Sequence, residues 1–213
     1  MKEAWAIGGW SLAGAVCDLL VTYSTTYIVA GVAGTAAVAR LEAPRLIVAP
    51  IQIFSNAIRS YLIPTVSALV AEGRRYEAAI KLKTAFLFTA VMVGVYCATV
   101  GVMPVGLLSR IFGAAYGASA SLIPWWAGSY FFLSLNSIPW IAVLVMRKTR
   151  LITSVWFVLG CGVTAGVWLA AHYGSLQAVL QVRMIANCAF VVTGIWLGTR
   201  LLSAGAAGER RSA

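Results

Sequence analysis

APRLIVAPIQIFSNAIRSYLIPTVSALVAEGRRYEAA, from Ala43 to Ala79, decides the fold. A membrane crossing takes about 20 mostly apolar residues, and Leu46 to Leu69 supplies that length before a charged, helix-favouring close. Arg45, Gln52, Asn56 and Arg59 interrupt the run at spacings of seven, four and three, which stacks them on one helical face. An ionised side chain in hydrocarbon costs at least about 3 kcal/mol. The stripe therefore predicts a face turned toward protein or a wet cavity, not toward lipid.

The rest of the chain has the same character. Hydrophobic residues make up 61% of the sequence and charged residues only 10%, where a soluble domain carries about 25% charge. This composition predicts an all-α, polytopic membrane protein. The net charge of +10 is spread between apolar segments, with no basic patch interleaved with exposed aromatics. Nucleic acid is thus excluded as a partner. Cys17, Cys97, Cys161 and Cys188 fall in different apolar segments without metal-ligand or CxxC spacing, and read as small packing residues. One histidine, no paired carboxylates at catalytic spacing and no phosphate-cradling glycine loop argue against an enzyme, and nothing calls for a cofactor or metal. Met1-Lys2-Glu3 followed by Trp5 lacks the features of a cleaved signal, so the first segment is expected to stay in the membrane.

Six helices are expected, over residues 5–30, about 36–72, 84–103, 122–146, 151–171 and 176–202. Residues 1–202 would form the bundle and 203–213 a disordered tail. Pro44 and Pro50 predict a kink or break near the start of the second helix. Residues 104–121 are the longest piece expected outside the membrane, and Tyr76 to Lys83 an interfacial helical turn leading into the third helix. Arg74, Arg75, Lys81, Lys83, Arg147, Lys148, Arg150 and the arginines of the tail all fall on one side of a six-crossing scheme. By the positive-inside rule both termini are cytoplasmic.

Charges inside the spans are the candidate functional groups. Asp18 lies about 20 Å and Arg59 about 15 Å from the cytoplasmic ends of adjacent antiparallel helices, at 1.5 Å per residue. They are expected to pair, either as a coupling element or as a purely structural contact. Ser11, Thr22 and Thr25 share the face of Asp18. Arg183 sits about 12 Å inside the last helix, too deep for simple snorkelling, and predicts a hydrated cavity. Arg40 reads as an interfacial residue satisfied by membrane lipid phosphate. Positive charge on a cavity wall implies an anionic passenger, for which guanidinium and a phosphate or diphosphate are geometrically matched.

Three stretches carry a resemblance to a known family. GWSLAGAVCDLLVTYSTTYIVAGVAGTAAVA, PIQIFSNAIRSYLIPTVSALVAEGRRYEAA and IFGAAYGASASLIPWWAGSYFF resemble segments of the polysaccharide-exporter, or O-antigen flippase, family of the multidrug/oligosaccharidyl-lipid/polysaccharide exporter superfamily. The last is similar to the family's FG-x-x-Y-x-x-A pattern, with Ser119 at the final alanine. The likeness is to the C-terminal half only. It implies half of a two-bundle transporter of bacterial cytoplasmic membranes, lacking the N-terminal six-helix bundle. It also implies a lipid-linked oligosaccharide diphosphate as the passenger, namely an undecaprenyl-diphosphate-linked polysaccharide repeat unit. The family pattern fixes no substrate site. From depth and charge the candidates are Arg45, Arg59, Arg183, Gln52, Asn56 and Asn187, with Asp18 as the ion-pairing or coupling residue. Two other readings compete: a cation-coupled drug exporter, which favours acidic cavity residues, and a non-transporting scaffold, which leaves no wet cleft.

Overall fold

The computed structural model describes residues 2–102, 110 and 113–212, with side-chain positions except at 2–7, 11, 114–115, 118 and 203–212. Expectations for residues 104–109, for Ile111 and Phe112, and for the side chain of Ser11 fall outside these. The helices are α1 (Lys2–Ala33), α2 (Thr35–Val48), α3 (Pro50–Ala71), α4 (Arg75–Gly101), a 3-10 segment (Ala114–Leu122), α5 (Ile123–Asn136), α6 (Pro139–Val145), α7 (Thr149–Tyr173) and α8 (Leu176–Ser212). No strand occurs among the described residues. Among the described residues six stretches are long and apolar enough to cross a membrane: Gly8–Ala33, Pro50–Ala71, Arg75–Gly101, Ser119–Val145, Thr149–Tyr173 and Leu176–Leu202. The chain is an all-α, polytopic membrane protein.

Local chemistry sets the boundaries. Gly34, at φ 82°, takes the left-handed conformation that separates α1 from α2. Pro50 has no N–H to give, and the chain breaks at Ala49 between α2 and α3. The expected second helix is therefore two helices, with Arg45 on α2 and Gln52, Asn56 and Arg59 on α3. Gly73, at φ 79°, closes the α3–α4 turn. There Arg74 donates to Glu72 at 2.8 Å and to both oxygens of Glu77 at 2.6 and 2.8 Å. Those carboxylates, Glu77 first, hold its proton more firmly than usual.

α4 starts at Arg75, and Tyr76 to Lys83, expected as a helical turn leading into the third crossing, are its first two turns. Two boundaries differ from the sequence expectation. The fourth crossing begins at Ser119, inside the segment expected to lie outside the membrane, and it is divided by Pro139 into α5 and α6. α8 continues as helical backbone to Ser212, through the residues expected to form a disordered tail.

The fourth crossing is the hub. Within its apolar window 61% of residues are buried, against 11–28% for the other five spans. Trp126, Tyr130, Leu135, Ile138, Trp140 and Ile141 fill the space between α3, α4 and α8. Lipid is as apolar as leucine, so helix association relies on close packing and interhelical hydrogen bonds. Small residues make the approaches possible. A Cβ on Gly194 would stand 2.9 Å from Trp140 Nε1, and one on Gly160 only 2.6 Å from Val21 Cγ2. The second of these seats α1 against α7. Thr153 Oγ1 adds a bond to Trp10 O at 2.9 Å, and Arg150 lies over the Trp10 ring at 5.4 Å.

α1 therefore packs on α7 and α2 and makes no extensive contact with α3, which follows α4 and α6.

Candidate functional site

A charged cluster is assembled from α1, α2, α5 and α8. Two carbonyls of α2 accept hydrogen bonds from side chains of neighbouring helices. Trp126 Nε1 reaches across from α5 to Leu41 O at 2.8 Å, and the Tyr96 hydroxyl from α4 to Ile47 O at 2.8 Å. These bonds fix the part of α2 that carries Glu42 and Arg45.

Glu42 and Arg45, one helical turn apart, form an ion pair. The Thr26 hydroxyl of α1 donates to the other Glu42 oxygen at 3.1 Å. From α8, Arg183 Nη1 donates to Thr25 Oγ1 at 3.0 Å and to Thr22 O at 3.5 Å, with its guanidinium over the Trp126 ring at 5.6 Å from the centroid. Tyr130 packs edge-on against Trp126, with ring centroids 5.8 Å apart, and lies within electrostatic range of Arg45, Arg183 and Glu42. Two cations and one anion are thus gathered in one cluster, for a net charge of one positive.

The cluster borders an open-sided cavity of about 600 Å³ lined by residues of α1 and α2, Glu42 and Arg45 among them, together with Tyr116. Arg183 stands one side chain back, reaching the wall through Thr22.

The sequence candidates divide into three groups. Arg45 and Arg183, far apart in sequence, are brought together. Gln52, Asn56 and Arg59 run along the exposed side of α3, outside that cavity. Asn187 is engaged elsewhere, donating to Ser129 O at 3.1 Å and Ser129 Oγ at 3.0 Å.

The expected Asp18–Arg59 ion pair is not formed. Among the described residues the ion pairs join Arg45 to Glu42 and Arg74 to Glu72 and Glu77. Asp18 and Arg59 are both exposed and sense each other only at a distance, because α1 seats on α7 and not on α3.

Glu42, Thr26, Trp126 and Tyr130 belong to the cluster without having been singled out from the sequence. Glu42 had a legible signal in its three-residue spacing to Arg45. The two aromatics had none, because the fourth crossing is rich in rings throughout.

No family model matches the chain, and no curated protein or solved structure matches it. The functional reading therefore rests on the geometry. Among the described residues no group of histidine, cysteine or carboxylate side chains is arranged to hold a metal ion.

Proposed function

We propose that this chain is a membrane transport protein of the lipid-linked glycan flippase type, working as one half of a two-bundle transporter. The observation that carries the reading is the convergence of Arg45 and Arg183 beside an open-sided cavity within a membrane-spanning bundle. Two guanidiniums with one carboxylate between them favour an anion, and a diphosphate offers oxygens in the geometry that guanidinium matches. An undecaprenyl-diphosphate-linked repeat unit would place its charge there while its tail stays in lipid. In this reading Gln52, Asn56 and Arg59 on α3, and Asp18 on α1, form the wider groove that a second six-helix bundle closes. The basic ends of α3–α4 and α6–α7 face the cytoplasm of a bacterial cell, with both termini on that side.

The drug-exporter alternative draws on Glu42, an acidic group on the cavity wall, but the cluster's net charge disfavours a cationic passenger. The scaffold alternative draws on the bonds that already occupy Arg183 and Asn187.

Export of a lipid-linked glycan by cells carrying the chain with its partner bundle separates these readings. Arg45→Ala and Arg183→Ala are each expected to reduce export while leaving protein abundance nearly unchanged. The lysine variants should recover only part, lacking the bidentate fork. Full export by the Arg45→Ala, Arg183→Ala double variant at normal abundance would refute the reading and favour the scaffold.

A further inference from the structure

Glu42 is the one acidic residue in the cluster, and the flippase reading gives it no task. Its carboxylate is held at one oxygen by Thr26 of α1 and at the other by Arg45 of its own helix. The surrounding elements present Thr22 and Tyr23 from α1, Tyr116 from the 3-10 segment, Tyr130 from α5 and Arg183 from α8. No second carboxylate joins it among the described residues of this cluster. Asp18 lies two turns further along α1, where its charged neighbour is Arg59.

We propose that Glu42 is a tethered counter-ion, which neutralises Arg45 in the empty site and must be displaced or protonated before a doubly charged anion can bind. The proposal rests on the anion-site reading above and adds the coupling of that site to protons. Without Glu42, two guanidiniums would face each other with no compensating charge, which is costly in a low-dielectric setting. With Glu42 ionised and in place, an incoming dianion would meet a carboxylate already seated on one of its two partners. Both states cannot be favourable at once, so the carboxylate and the anion compete for Arg45.

Glu42 borders the cavity, so an anion entering there meets its carboxylate beside Arg45.

A neutral carboxyl no longer competes with the anion for Arg45, so anion affinity is expected to rise as pH falls. Proton and anion therefore bind together.

Sulfate is a suitable probe, because it carries the same two charges throughout the mildly acidic to mildly alkaline range. Its binding to the purified full chain in lipid nanodiscs is to be measured by calorimetry across that range. The wild-type chain is expected to bind more tightly at acidic pH. Glu42→Gln is expected to bind about tenfold or more tightly than wild type at alkaline pH, the size set by removing one like charge at contact distance, and to lose the pH slope. Arg183→Ala should abolish binding in either background.

A flat pH slope in the wild type overturns the counter-ion proposal without any variant. So does a Glu42→Gln protein that binds no better than wild type at alkaline pH. In both cases, sulfate binding that Arg183→Ala removes leaves the anion site itself standing. Absence of sulfate binding by the wild type even at acidic pH overturns the anion site and the counter-ion together.

Discussion

Replacing Gly160 by alanine should damage the charged cluster from a distance, through the seat of α1. The added Cβ would stand 2.6 Å from Val21 Cγ2, whereas carbon atoms pack at about 3.5 to 4.0 Å. About 1 Å must therefore be found. Val21 cannot supply it cheaply, because a β-branched side chain in a helix keeps one χ1 rotamer about 90% of the time. α1 must then move off α7, and Thr25 lies one turn beyond Val21 on the same face. Its 3.0 Å bond from Arg183 would lengthen to about 4 Å, past hydrogen-bond range.

Overpacking of this kind costs about 1 to 3 kcal/mol, and the lost interhelical bond about 0.6 kcal/mol more. Unfolding in mixed detergent micelles, read by tryptophan fluorescence, should show Gly160→Ala destabilised within that range. Val21→Ala removes the clashing methyl, so the Val21→Ala, Gly160→Ala pair should be more stable than Gly160→Ala alone. A double-mutant cycle should give a coupling of about 1 kcal/mol or more. If Gly160→Ala lies within about 0.5 kcal/mol of wild type, or if Val21→Ala fails to rescue it, the close-packing argument is wrong.

Other outcomes can be stated together. Asn187→Leu, which removes two bonds to Ser129, should cost about 1 kcal/mol in stability and leave sulfate affinity unchanged; a large loss of affinity would return Asn187 to the binding site. Arg183→Lys should keep the contact with the Trp126 face but bind sulfate about tenfold more weakly than wild type, since a point charge replaces a fork. Cysteines placed at Gly113 and His172 should be labelled from the outer side only, as the proposed orientation requires. Labelling of either from the cytoplasm alone would invert the scheme.

The sequence by itself determined that the chain is an all-α membrane protein with six crossings, and that a proline interrupts the second near its start. Bilayer thickness and the cost of unpaired backbone groups in lipid leave few alternatives for runs this long and apolar. It also marked Arg45 and Arg183 as out of place in lipid, because the cost of a buried charge does not depend on its neighbours' identity. Which helices touch was decided only by the tertiary structure. Lipid-facing and core positions are equally apolar, so hydropathy could not tell that the fourth crossing is the buried hub while α1 and α3 do not pack on each other. The pairing of Asp18 with Arg59, inferred from helices adjacent in sequence, failed for the same reason: Gly160 lets α1 seat on α7. Glu42 became the partner of Arg45 because Trp126 and Thr26 hold that turn of α2 in the bundle. Side chains from four helices meet there, and no periodicity within a single helix records such a meeting.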